Sequence, residues 1–274
     1  MSDTTPSEKK ERPIPAAWSK NPFQAPTAHV EDARPDSDGP LLDEPNRVGA
    51  GRGSAWWSNG WGLFREATGL WIGISVTYIV LIMLLGLIPF VGQLATYILM
   101  PLIGGGLMLG CRSLQTGEGL SFGHLFAGFQ KNSGQLALVG VLYLVGIVVI
   151  GLIIIVLVFG GGFGAAMMGG KFNSGAAAST IIIGVLLGLG LGIPLAMSIW
   201  FAPALVMLND LPAIQAMKLS FKGCLRNMLP FLLWGIIGFV LAILASIPIA
   251  LGWLLLVPTM ICSTYVSYQE IFLD

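Results

Sequence analysis

The sequence predicts an all-α, polytopic membrane protein, and three observations carry that prediction. The first is composition: 55% of the 274 residues are hydrophobic and 10% are charged, whereas a soluble domain carries roughly 25% charge. The mean hydropathy of +0.81 agrees. The second is segregation of charge. Of the 28 acidic and basic residues, 16 lie in the first 53 positions, and the ten beyond Ala67 all fall between apolar runs or at the C-terminal end. The third is a unit that recurs three times: a short amphipathic stretch ending in a basic or polar residue, followed at once by an uninterrupted apolar run. Its copies cover residues 61–71, 125–133 and 216–227, and they lead into the runs that begin at Ile72, Leu136 and Met228.

Taken in order, residues 1–53 hold eight prolines, many charges and almost no aliphatic periodicity. Such a segment cannot bury enough apolar area to offset chain entropy, so it is expected to be a disordered cytoplasmic tail. Its acidic stretch, 31–44, serves as a solubilising segment. A six-span domain over 54–274 follows. Trp56, Trp57 and Trp61 arrive together with Phe64, bracketed by Arg52 and Arg65. Rings with an apolar body and a polar N–H suit headgroup depth, so the three tryptophans are expected to anchor an interfacial helix.

Six apolar runs, at 70–88, 93–111, 135–159, 180–208, 228–247 and 249–268, are each long enough at 1.5 Å per residue to cross about 30 Å of hydrocarbon. Pro89 and Pro248 break the first and last pairs into hairpins. Pro194 and Pro203 predict a kink or tilt in the fourth run, because each removes a backbone donor. A Gly-rich connector, 160–178, follows the third run and contains Lys171. Its glycines do not form a phosphate loop, since no Lys-Ser/Thr ending is present and no strand precedes them.

Lys and Arg set the orientation. With the N-terminus inside, the cytoplasmic segments hold 13 of them and the exterior holds one, Lys171, which predicts cytoplasmic termini. All three amphipathic stretches then share the cytoplasmic face. The first and last hairpins also superpose at Ile88-Pro89 against Ile247-Pro248 and at Pro101 against Pro258, which suggests one hairpin module used three times.

Chemistry is sparse. No Asp, Glu, Lys, Arg or His lies within the six runs, although an ionised group there costs about 2.5–3.5 kcal/mol and usually marks function. The two histidines, His29 and His124, have no companion spaced for a metal. The three cysteines, Cys111, Cys224 and Cys262, share no metal or redox spacing and read as small apolar residues. No catalytic residues, cofactor or metal site are expected, and no basic stripe suits nucleic acid. The remaining candidates are basic residues at the junctions of amphipathic stretch and span, Arg65, Lys131, Lys222 and Arg226, as lipid headgroup contacts. Gly106, Gly110, Gly184, Gly188 and Gly192 recur at four-residue spacing and predict close helix packing, within the chain or alternatively across a homodimer.

Two stretches carry a resemblance. Ala50-Gly51-Arg52-Gly53 with Trp56, Gly60-Trp61, Leu63-Phe64 and Leu70-Trp71-Ile72 begins it, and residues 265–272, Tyr-Val-Ser-Tyr-Gln-Glu-Ile-Phe, end it. With Gly106 to Arg112, His124 to Phe129 and Leu225-Arg226-Asn227 between them, these residues resemble an uncharacterised family of proteobacterial six-span inner-membrane proteins. The hairpin layout is similar, more loosely, to the membrane domain of some glycerophosphodiester phosphodiesterases, whose catalytic residues have no counterpart here. The resemblance implies a bacterial inner-membrane location and no chemistry. The expected function is that of a non-enzymatic accessory envelope protein binding lipid or a membrane partner at its cytoplasmic face. The alternative is a transporter or channel for a small neutral or apolar solute.

Overall fold

The computed structural model describes residues 39–160, 174–247 and 251–274. They belong to one packed unit, Pro35–Asp274. The acidic and proline-rich stretch before residue 39, with His29, lies outside them, as do most of the Gly-rich connector with Lys171, and Pro248.

The described chain is helical, with one isolated antiparallel bridge between Leu41 and Leu273. Its helices are α1 (Arg52–Glu66), α2 (Thr68–Gly86), α3 (Val91–Gln115), a 3-10 segment (Phe122–Phe126) running into α4 (Ala127–Gln130), α5 (Ser133–Gly160), α6 (Ser174–Trp200), α7 (Ala202–Asn209), α8 (Ala213–Arg226), α9 (Met228–Ser246) and α10 (Trp253–Phe272). Three times a short helix meets a long one across a one- or two-residue break. Ala67 and Asn227 make two of the breaks with nearly the same backbone, φ −141°, ψ 42° and φ −121°, ψ 36°. At the third, Asn132 adopts a left-handed φ of 56°, a conformation asparagine visits more readily than most residues.

Among the described residues, five segments are long and apolar enough to cross a bilayer: Thr68–Gly86, Val91–Gln115, Ser133–Val158, Ala178–Asn209 and Met228–Ser246. The sixth expected run lies in α10, which differs from the others. Its second half carries Ser263, Ser267, Gln269 and Tyr268, all buried by protein. The fourth segment is broken at Phe201, and the cause is visible. The Ser220 hydroxyl donates to the Met197 carbonyl (2.7 Å) and accepts from the Phe201 amide (2.9 Å), so it stands where the helix's own bond would run. Pro203, two residues on, can supply no amide to prolong the ladder.

Burial is concentrated at one end of the bundle. Trp71 and Ile74 of α2, Leu102, Leu107, Cys111 and Leu114 of α3, Leu136 and Val139 of α5, Ala202 and Ala204 to Met207 of α7, and Cys262, Tyr265, Tyr268 and Phe272 of α10 belong to a single core. Away from that end the long helices expose Met83 and Leu87, Val148 and Val156, Leu186 and Leu189, and Phe239 and Ile243. That apolar surface is suited to hydrocarbon. Pro101 and Pro258 both sit buried in the packed part of their helices, α3 and α10.

α1 packs along α10 and α9, and Gly60 makes the approach possible. A Cβ there would lie 2.6 Å from the Ser263 nitrogen and 2.7 Å from its Cα, whereas one at Gly62 would meet nothing within 4 Å. Gly60→Ala should therefore destabilise the protein by roughly 1–3 kcal/mol, as overpacking does. Gly62→Ala, the same change two residues away, should leave stability unchanged or raise it by up to about 1 kcal/mol. Thermal unfolding in mild detergent reads both.

Candidate functional site

The packed end of the bundle gathers nearly all the polar chemistry of the described residues. Three junctions build it, and each ties parts of the chain that are far apart in sequence; the first and third lie at breaks between a short and a long helix.

The first latch replaces the expected tail boundary. Residues 39–51 are not a loose continuation of the tail: the Leu42 amide donates to the Phe272 carbonyl (2.9 Å) and the Asn46 amide to that of Ile271 (2.7 Å). Asn227, buried at the α8–α9 break, accepts from the Val48 amide (2.9 Å) and donates to the Asn46 carbonyl (2.8 Å). Residues with few apolar side chains are thus ordered by backbone pairing, which composition does not reveal. Arg226 completes the strap with an ion pair to Glu44 at 3.0 Å.

The second latch surrounds Glu270. Arg52 forms an ion pair with it, and the Trp56 indole donates to the same carboxylate at 2.8 Å. Trp57 donates to the Trp234 carbonyl (3.0 Å) and stacks on that ring at 5.2 Å, while Trp234 donates to Ser263 (2.6 Å). Trp56 is 0% and Trp57 6% exposed. The expectation that both anchor to headgroups is therefore corrected: their N–H groups are satisfied inside the protein. Trp61, 40% exposed, is the one of the three with a surface to offer.

The third latch joins α4 to the α7–α8 turn. Asn132 donates to the Val206 carbonyl (2.8 Å) and to the Asp210 carboxylate (2.6 Å), and Lys131 pairs with Asp210 at 3.2 Å. The Asn132 amide, then Lys131, holds Asp210 below its usual range.

Of the four basic residues singled out from the sequence, Lys131 and Arg226 are thus engaged by acidic partners. Arg65 and Lys222 are exposed and, with Lys218, make no ion pair among the described residues. The glycines divide as well. Gly106 and Gly110 face the 3-10 segment at His124 rather than another long helix. Gly184 and Gly188 face Ile154 of α5, and Gly192 faces open space.

Ser113, His124 and Glu118 come together in the fold, which their sequence separation did not announce. The Ser121 amide donates to His124 Nδ1 (3.1 Å), so His124 carries its proton on Nε2 and presents it to Ser113 Oγ at 3.4 Å. Ser113 in turn donates to Glu118 at 3.3 Å. A histidine in this tautomer presents Ser113 with a donor rather than a base, and its Nδ1 closes a capping box with Ser121 at the start of the 3-10 segment. Among the described residues no three His, Cys, Asp or Glu groups gather closely enough to hold a metal.

Within the apolar part, Trp200 borders three cavities of about 470, 340 and 480 Å³. Their polar lining comes from Ser75, Tyr78, Thr96, Tyr97, Tyr143 and Thr264, with no charged side chain. No spacing in the sequence signals them, because they form where helices remote in the chain meet.

Burial lowers the His124 pKa against the opposing pull of Glu118. The unfolded chain therefore takes up this proton first as pH falls below the ordinary histidine value of about 6.5, and stability present above it is lost on acidification. Protection factors for hydrogen exchange of residues 121–130, taken relative to the intrinsic rate at each pH, should fall between pH 7.5 and 5, and His124→Gln should flatten that dependence.

No family model and no solved structure matches this chain. The chain is similar to a protein of Burkholderia thailandensis described as "Probable inner membrane protein", with 28% identity over 250 residues, which cover 82% of this chain and 92% of that protein. These comparisons give the looser likeness to glycerophosphodiester phosphodiesterases no support. Together with five helices apolar enough to cross a bilayer, the similarity supports an integral membrane protein of the inner membrane.

Proposed function

We propose that this is a six-span inner-membrane protein with cytoplasmic termini, built from three units of short helix plus hairpin, and that it acts without catalysis as an accessory protein binding lipid at its cytoplasmic face. α10 supplies the sixth span in this reading; its polar half is shielded by α1 and α9 rather than facing lipid. The observation that carries the reading is the pattern of charge satisfaction. Arg52, Lys131 and Arg226 are neutralised within the fold, while Arg65, Lys218 and Lys222 remain exposed and unpaired among the described residues at the same end. Basic residues at that depth attract anionic headgroups, at about 1 kcal/mol each. A membrane protein partner is the other occupant this face could take.

The cavities around Trp200 favour a second reading, passage or binding of a small neutral or apolar solute. Two of them share Tyr78, Met100, Gly104 and Trp200. Flux across reconstituted vesicles, lost in Trp200→Ala, would support it.

For the orientation, an alkaline phosphatase reporter inserted within residues 161–173 should be active and one fused after Asp274 inactive; the reverse overturns it. For lipid binding, neutralising Arg65, Lys131, Lys222 and Arg226 together should reduce co-purified phospholipid severalfold, with Arg65 and Lys222 responsible for most of the loss. Unchanged lipid and unchanged associated proteins would sink the proposal.

A further inference from the structure

We infer that the groove between α5 and α6 seats an acyl chain of an anionic phospholipid whose headgroup is held by Lys218 and Lys222 of α8. This rests on the lipid-binding reading above and gives it a site and a ligand class.

The groove has a volume of about 500 Å³ and is walled by Gly146, Val149 and Ile153 of α5 and Leu191, Pro194 and Leu195 of α6, with Phe221 of α8 beside them. Its one hydroxyl, on Ser198, is already donated to the Pro194 carbonyl at 2.9 Å. Nothing in the wall asks for a polar partner, so the ligand chemistry it fits is hydrocarbon. Both helices belong to the segments apolar enough to cross a bilayer, which makes lipid the most abundant occupant at hand.

Charge decides which lipid. Phe221 places α8 against the groove, and Lys218 and Lys222 lie three residues before it and one after it. On a helix, positions separated by three and four residues share a face, so Lys218 shares one with Phe221 and one with Lys222, and the two ammonium groups lie together to one side of Phe221. Both lysines are exposed and have no acidic partner among the described residues. Ile214 and Leu225, large apolar residues exposed on the same short helix, set it at the depth where hydrocarbon gives way to headgroups. A phosphate there meets two cations while its chain enters the groove.

The test is native mass spectrometry of the full chain in mild detergent, with phosphatidylglycerol and phosphatidylcholine of matched acyl chains offered in competition. Wild type should retain the anionic lipid preferentially. Lys218→Gln with Lys222→Gln should lower that preference by roughly an order of magnitude while the folded protein persists, as checked by its melting curve. Leu191→Trp, which fills the groove, should reduce retention of both lipids. The inference is overturned if the double lysine variant keeps the wild-type preference, if both lipids are held equally, or if the mass is that of a lipid-free dimer with a second copy covering the face. If preference survives the lysine changes but falls in Arg65→Gln, this site fails and the broader lipid-binding proposal stands. Absence of any retained lipid in wild type defeats both.

Discussion

The contact of α1 with α9 and α10 is the constraint on which the rest of the packed end depends. In a bilayer, hydrocarbon competes with every apolar side chain, so helices gain from association only through close packing and satisfied polar groups. The α1 contact has both. Gly60 brings two backbones together at Ser263, and the tryptophans on either side of that contact send their N–H groups to Glu270 and to the Trp234 carbonyl. Once α1 lies there, Arg52 reaches Glu270, the chain before it is drawn over the end of α10, and Asn227 is positioned to bind that strap. A charged carboxylate on an otherwise uncharged helix becomes acceptable because its partners are built into the neighbouring element.

The same logic separates the two ends of the bundle. Near the short helices, side chains from remote parts of the chain meet in one core; beyond it, the long helices present valine, leucine, isoleucine and phenylalanine outward. The polar latches at Asp210, Asn227 and Glu270 all occur at the packed end. Each one pairs a charge or a polar group with partners from a distant part of the chain, and basic residues left over by this matching stay exposed.

Much of the layout was legible in the residues. The break at Asn227 falls where an amphipathic stretch gives way to an apolar run, those at Ala67 and Asn132 fall inside such stretches, and the interruption near Pro203 was expected, although the Ser220 hydroxyl inserted at Phe201 was not. The tail boundary was misplaced because residues 39–51 are ordered by backbone hydrogen bonds, which composition does not record. Trp56 and Trp57 were taken for interfacial anchors because an indole looks the same in sequence whether its N–H meets water or a buried carboxylate. The engagement of Lys131 and Arg226 was hidden for a like reason: their partners, Asp210 and Glu44, are far along the chain.

By itself the sequence determined the solvent and the segmentation: apolar runs of bilayer length, charges confined between them, and short amphipathic stretches before three of them. These are properties of consecutive residues, and helix geometry reads them directly. Only the tertiary structure decided which polar groups are spent on the fold and which remain exposed, because that depends on pairs such as Arg52 with Glu270 and Lys131 with Asp210, brought together by packing. Lys218 and Lys222 stand out as a candidate site for the complementary reason: packing brought Phe221 of their helix against an apolar groove and supplied no acid among the described residues to meet the two lysines.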